Sequence, residues 1–297
     1  MNIRLAENFR AVFYAPFYAT VALGFHRAEG VEITLFDSPS PGAGIAELAA
    51  GRIDCMWGGP LRVIRERDDK PRDDGSLLAF CEVAGRDPFC LVGQSGVPFV
   101  LRDLQRMRLG SVSEVPTPWL CLEQDLRDLG IDPATIDRIA DRTMAANLGA
   151  LARADLDVAQ VFEPYVTFAE RQGARVLYAA SERGPTAYTT FLSTVASIRT
   201  HRQAFEAMIR AVEQFGPWLQ AHGPAELARV VASYYPDLAH DVLVSAFTRY
   251  RDAGLWTCTR TVSRAGFARL ALSMRDSGFV HSLHAYEDCV ADFAREP

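Results

Sequence analysis

No stretch of this sequence is long and apolar enough to cross a bilayer, which takes about 20 consecutive, mostly apolar residues, so a membrane-embedded protein is not expected. A secretory leader is missing as well. Such a leader needs a basic start, an apolar run of about 7–15 residues and a small-residue cleavage site, whereas Glu7, Asn8 and Arg10 interrupt the first apolar residues at once. The chain as written is therefore expected in the cytoplasm, or in the periplasm if it is the mature form of a longer precursor. Positive charge is in short supply. The net charge of −6 comes from interleaved Asp, Glu and Arg, and no basic stripe exists to neutralise a phosphate backbone, so nucleic acid is not an expected partner. The six cysteines, Cys55, Cys81, Cys90, Cys121, Cys258 and Cys289, form no C-x-x-C pair. That speaks against structural zinc and a compact disulfide framework, and for buried thiols in a reducing compartment.

The signatures of common enzymes are also missing. The sequence contains no G-x-S-x-G, no H-E-x-x-H and no phosphate loop ending in G-K-[ST]. His281 and His284 alone approach a metal spacing, and they fall near the end of the final helical segment. No metal, cofactor or catalytic residue is expected on these grounds.

What is present is a body large enough to bury a full core. At 297 residues, with 49% hydrophobic and 23% charged, the chain exceeds the usual single domain, and two lobes with a cleft between them are expected. The opening stretch reads as alternating strands and helices: a strand at Ile3 to Ala6, a helix from Pro16 to Gly24, a strand at Val31 to Phe36, a helix from Ile45 to Ala50, and a strand at Ile53 to Trp57. Arg62 to Asp74 reads as a charged helix running into an exposed loop. A second cycle of strands follows at Met107 to Ser111, Asp157 to Phe162 and Val176 to Ala179, with a helix from Trp119 to Leu129. From Arg199 the pattern is helical, with Phe205, Met208, Ile209, Val212 and Phe215 on one face.

Candidate binding residues sit where strands should give way to helices, because open α/β sheets take ligands at strand carboxyl ends. Asn8, Phe9 and Tyr14 follow the first strand, and their rings could stack on a planar ligand, while Phe13 and Phe17, four residues apart, read as core. The second strand runs into a turn, Ser38-Pro-Ser-Pro-Gly-Ala-Gly. Glu47 stands where a dinucleotide fingerprint needs its third glycine, so that activity is not inferred. Ser38, Ser40 and free backbone N–H groups there suit a carboxylate, a sulfonate or another polar group, although Ser40 alone is equally an ordinary helix cap. Trp57, Gly58 and Gly59 end the third strand, where an indole face beside two glycines allows close approach; a buried Trp over a tight turn is the competing reading. In the second half Ser113, Glu114, Thr117 and Trp119 occupy the equivalent turn, and Glu163 follows a later strand. Two carboxylates could bind amino groups or act as general acid and base, although either alone is more often a solvated surface group.

Taken together, Tyr14-x-Pro16-x-Tyr18, Gly24-Phe25, Glu29-Gly30-Val31-Glu32-Ile33, the Ser/Gly turn, Gly51-x-Ile53-Asp54 and the glycines after Trp57 resemble solute-binding proteins of the thiamine-pyrimidine-synthase and sulfonate-binding type. The match covers residues 3–93 and extends more loosely through Glu163-Pro164 and the helical C-terminus. The resemblance implies an α/β type II periplasmic-binding-protein fold: two lobes joined by two crossover strands, with a helical C-terminal region. On that reading residues 1–88 form the first lobe, 89–192 the second, and 193–297 return to the first, with crossings near Glu82 to Leu91 and Thr189 to Val195. The resemblance implies lobes that close over one small molecule, and the aromatics and turn hydroxyls at strand ends point to a planar aromatic or heterocyclic metabolite, bound without catalysis by the substrate-binding protein of an ABC transporter with its permease as a partner, or by a cytoplasmic relative. The pyrimidine-synthesising members' cysteine-rich iron motif and catalytic histidine pattern are not recognisable here, so that activity is not carried over. The alternative is an enzyme on the same fold acting on a cofactor precursor, with Glu114 or Glu163 as general base.

Overall fold

The computed structural model describes residues 1–38, 40, 42–94 and 98–293. Among these residues eleven strands form two sheets. The first sheet gathers β1 (Asn2–Ala6), β2 (Glu32–Phe36), β3 (Cys55–Gly58) and β4 (Leu77–Ala84) from the start of the chain. The second holds β5 (Cys90–Gly93), β6 (Arg108–Gly110), β7 (Asp137–Ile139), β8 (Val158–Val161) and β9 (Arg175–Ala179). Then β10 (Thr189–Thr194) and β11 (Trp256–Thr259) return to the first sheet, whose order becomes β11-β4-β10-β3-β1-β2; the second runs β7-β6-β8-β5-β9.

Sequence explains which strands lie inside. Every residue of β3, β4 and β10 is buried, as expected of near-continuous apolar or β-branched runs such as Leu-Leu-Ala-Phe-Cys-Glu-Val-Ala, covered on both faces. The edge strand β2 alternates exposed and half-buried residues, with Ile33 and Leu35 turned inward. Strands β1, β2 and β3 pair in parallel, whereas β10 is antiparallel to both β3 and β4.

The chain leaves the first sheet after Ala84 and rejoins it at Thr189, so the sheets exchange it through residues 85–89 and 180–188. The return precedes the expected Thr189 to Val195, and a boundary at 192 would cut a central strand: Thr190, Phe191 and Leu192 are already paired with β3. Other expected bounds shift similarly. The first helix stops at Ala22, Gly24 adopts φ +73°, and a separate short helix, Phe25–Ala28, follows. The charged helix spans only Leu61–Asp69. The turn through Pro39 and Pro41 lies outside the described residues.

The two crossings are tied together by Arg183, whose guanidinium reaches Asp87 at 2.6 Å and Asp125 at 2.5 Å with its side chain 3% exposed. Asp87 lies in the first crossing, Arg183 in the second and Asp125 on the second-lobe helix Thr117–Asp128. The C-terminal helices cover the first sheet but also reach the second lobe. From the helix His240–Asp252, Arg249 pairs with Glu163 at 2.7 Å and Glu170 at 2.5 Å, and Asp241 with Arg171 at 2.6 Å. Phe267 and Leu270 share a core with Leu120 and Cys121.

Candidate functional site

Between the sheets lies a cleft of two adjoining compartments, with Phe9 from the first lobe and Val115 from the second lining both. The first, about 630 Å³, is walled by residues after β1, by the helix Leu61–Asp69 that follows β3, and by Val115, Pro116 and Thr117 at the start of the helix Thr117–Asp128. The helix Thr117–Asp128 meets the cavity at its N-terminal end, whereas the helix Leu61–Asp69 lies along it, with Leu61, Arg62, Arg65, Glu66 and Asp69 all on the wall.

Asn8 organises this compartment. It is buried, its Oδ1 accepts from Gly42 N at 3.0 Å and from Arg62 Nη2 at 3.1 Å, and its Nδ2 donates to the Tyr14 hydroxyl oxygen at 3.2 Å. One amide thus sets the turn, the guanidinium and the phenol. Burial pulls the Arg62 guanidinium down from its ordinary pKa, opposed by the Tyr14 oxygen, and burial pushes the Tyr14 phenol up. The rest of the wall joins apolar and aromatic side chains, including Phe9, Phe13, Leu61 and Tyr188, to a charged row of Arg65, Glu66, Asp69 and Lys70.

The second compartment, about 710 Å³, is lined by Glu7, Asp37, Glu114 and Asp237, with Arg10 as its one cation among the described residues, and by Phe162, Tyr165, Tyr234 and Tyr235. Arg10 is fully engaged: it donates to both Glu7 carboxylate oxygens at 3.0 and 3.1 Å, to Asp37 at 2.8 Å and to the Tyr234 carbonyl at 2.9 Å. Buried Glu7 also accepts a short hydrogen bond from the Tyr18 hydroxyl.

The sequence candidates divide between these compartments and the interior. Asn8, Phe9, Tyr14, Gly59 and Thr117 line the first compartment, and Phe9, Ser38 and Glu114 the second. Ser40 lines neither; its carbonyl accepts from Ser38 Oγ at 2.9 Å and from Ala43 N at 3.1 Å. Trp57 is 0% exposed and stacks on Phe17, with centroids 4.6 Å apart and planes 10° apart, so it is core and not cleft wall. Gly58 lies beneath the cleft lining, where a Cβ would stand 3.1 Å from Leu192. Ser113 hydrogen-bonds the Glu114 carboxylate at 3.3 Å, outside both compartments. Trp119 faces a separate recess on the second lobe under the Arg138 guanidinium, 4.1 Å from its ring centre.

The two carboxylates considered as bases are committed elsewhere. Glu163 is 0% exposed, absent from both compartments, and bound to Arg249 and to Thr167 N at 3.0 Å. Glu114 accepts from Ser113 N at 3.1 Å and from Met144 N at 3.0 Å, at the start of the helix Met144–Ala152. His281 and His284 follow the helix Arg264–Asp276 and surround Asp68, which accepts from His281 N at 2.8 Å and lies 3.2 Å from His284 Nε2. No group of three metal-ligating side chains occurs among the described residues.

Sequence reasoning missed Arg62 and Tyr188. Arg62, Arg65, Glu66 and Asp69 recur at helical spacing and read as a solvated charged face, yet this face fronts the cleft. The available signal was position: Arg62 lies in the first turn after Trp57-Gly58-Gly59-Pro60, at the carboxyl end of a strand. Tyr188 ends the second crossing and gave no local signal.

No family model matches the chain. A Bacillus subtilis protein carrying the name "Putative binding protein YtlA" is 22% identical over 254 residues, covering 84% of this chain and 75% of its own length. Among solved structures, the periplasmic aliphatic sulphonate binding protein SsuA of Escherichia coli superposes with a TM-score of 0.75 at 15% identity over 97% of each chain. The ligand-binding component of an ABC-type import system from Staphylococcus aureus, solved with zinc bound, gives 0.69 at 16% identity, covering 98% of this chain and 96% of its own. The chain therefore has the two-lobed α/β fold of the type II periplasmic binding proteins.

Proposed function

We propose that this protein binds a small molecule without transforming it, the ligand lying in the interlobe cleft with a planar aromatic or heterocyclic body against Phe9, Phe13 and Tyr14. One observation carries the reading: a cavity of about 630 Å³ whose walls come from both lobes, apolar and aromatic over most of its surface, with Tyr14 and Arg62 joined through Asn8 and a paired charged row along the helix Leu61–Asp69. The engagement of Glu114 and Glu163 by other groups supports binding over acid–base chemistry. The likeness in fold to import-system components supports a role in uptake, with an ABC-transporter permease as partner and a periplasmic site of action. No helix among the described residues is long and apolar enough to cross a membrane, so any membrane attachment by a spanning helix would have to come from elsewhere.

Mass spectrometry of small molecules released from freshly purified protein, followed by thermal unfolding with each recovered compound, tests the proposal. A true ligand at 100 times its dissociation constant adds about 2.7 kcal/mol of stability. Recovery of the compound unchanged after prolonged incubation is expected. Its steady consumption would move the protein to the enzymes.

A further inference from the structure

We propose that the ligand of the first compartment is a small organic monoanion whose oxyanion head group is held by Arg62, with the Tyr188 and Tyr14 hydroxyls donating to the same group. This rests on the small-molecule reading above and adds its charge class.

The argument begins with the charged row on the helix Leu61–Asp69. Arg65 has Asp69 at 3.5 Å, and Lys70 has Glu66 at 3.2 Å. Arg62, on the same face and in the same cavity, has no carboxylate within ion-pair distance among the described residues; its one hydrogen bond is to Asn8 Oδ1. A guanidinium carries five N–H donors in a planar fork, so most of its donors face the compartment unused. A largely buried cation with no counter-charge is costly, and a bound oxyanion offsets that cost with charge-assisted hydrogen bonds.

The backbone makes room for this arrangement. A Cβ on Gly42 would lie 2.4 Å from Arg62 Nη1, and one on Gly58 would lie 3.9 Å from its Nε. Gly42 thus leaves room for the guanidinium against the turn, whereas at Gly58 a side chain would meet it only in ordinary van der Waals contact. Tyr188 gives the independent sign of a ligand. It lines the cavity, is 7% exposed, and its hydroxyl makes no hydrogen bond to any described residue. A phenol so deeply placed is normally paired. The Tyr14 hydroxyl accepts from Asn8 and keeps its own proton for an acceptor in the cavity. The helix Thr117–Asp128, which meets the cavity at its N-terminus, adds positive potential from the second lobe. The pairing of Arg65 and Lys70 leaves one uncompensated positive charge, which selects one negative charge on the ligand.

The test uses the full chain, dialysed free of bound ligand, with four probes of one shape at millimolar concentration: benzoate, benzenesulfonate, benzamide and benzylamine. Thermal shift and isothermal titration should show binding of at least one anion, at least tenfold tighter than benzamide, with benzylamine inert; the two anions then tell a carboxylate from a sulfonate head group. Arg62→Gln should remove the preference for the anion over the amide, Arg62→Lys should restore part of it, and Tyr188→Phe should weaken the anion severalfold while leaving benzamide unchanged. The lysine variant keeps the test decisive if the glutamine variant does not fold. Equal binding of benzoate and benzamide, or an anion preference that survives Arg62→Gln, overturns the anion while leaving the small-molecule reading standing. Silence from all four probes overturns the anion too, and if no compound is released from the purified protein, the small-molecule reading fails with it.

Discussion

Arg62 lines the first compartment of the cleft and Arg10 the second, and the two arginines are treated in opposite ways. Arg10 is saturated by Glu7, Asp37 and a carbonyl, so its charge is spent on holding the first lobe together. Arg62 touches one amide oxygen and no acid among the described residues, so its charge remains directed at the cavity. The contrast separates structural from functional charge: the residue type is the same, and although Arg10 is the more exposed of the two, it is the one to which the protein supplies the partners.

The largest effect expected concerns the wall behind Arg62. Trp57 packs between Phe17, Tyr18 and Tyr14 without reaching either compartment. Trp57→Ala should cost about 3–5 kcal/mol in urea unfolding, as removal of a buried aromatic does. A variant of unchanged stability that had lost its ligand would return Trp57 to the cleft and break the division between packing and binding proposed here.

Glu82 supplies the mirror image of Arg62, a buried acid with no ion-pair partner among the described residues. Burial raises its pKa from 4.5 to about 7, against hydrogen bonds from Ser263 N and the Thr257 hydroxyl. Because the folded state holds this proton more tightly than the unfolded chain, its stabilising contribution is complete below about pH 4.5 and is lost as the pH rises through 7. The full swing is about 3 kcal/mol by the usual conversion. Denaturation midpoints from pH 4.5 to 8 should carry this decline, and Glu82→Gln should remove it; an unchanged profile in the variant would show that Glu82 does not titrate in that window.

Next in size is the arginine pair itself. Arg10→Ala leaves buried Glu7 with the Tyr18 hydroxyl alone and should cost about 2 kcal/mol, the usual range for a buried charged group left short of partners. Arg62→Ala should cost the ligand-free protein no stability and should raise it, since no acid is stranded and an uncompensated charge is removed. Comparable losses in the two variants would mean that Arg62 is as structural as Arg10.

These contrasts also show how far the sequence could be read. The alternation of strands and helices was visible because hydrophobic period and Gly or Pro punctuation are local, and the strand-end rule led to Asn8, Phe9, Tyr14, Gly59 and Thr117 on the wall of one compartment. The same rule could not say which way a strand-end side chain turns. Trp57 and Gly58 are neighbours on a strand and face opposite sides of the sheet, so an indole expected in the cleft lies in the core. Glu163 looked free because its partner Arg249 is 86 residues away, a pairing only the folded chain creates. Arg62 was hidden by the salt-bridged row around it, which has the spacing of any solvated helix face.

The smallest effect expected is the most local probe of that row. Gly42 has φ +86°, and any side chain there pays roughly 1–2 kcal/mol for the left-handed backbone. The added methyl would also stand 2.4 Å from Arg62 Nη1 and must push the guanidinium away, because Asn8 holds the turn through the Gly42 N–H. Gly42→Ala should therefore lose part of its affinity for an anion while keeping the charge of Arg62 intact. Gly24 has a similar positive φ of +73° but nothing within 4 Å of a built Cβ, so Gly24→Ala is the matched control, with the same strain and no displaced cation. If both variants lose stability alike and Gly42→Ala alone loses the anion, the orientation of the guanidinium matters as well as its charge. If both keep the anion, net charge in the cavity is sufficient, and the glycine cradle is no more than a turn.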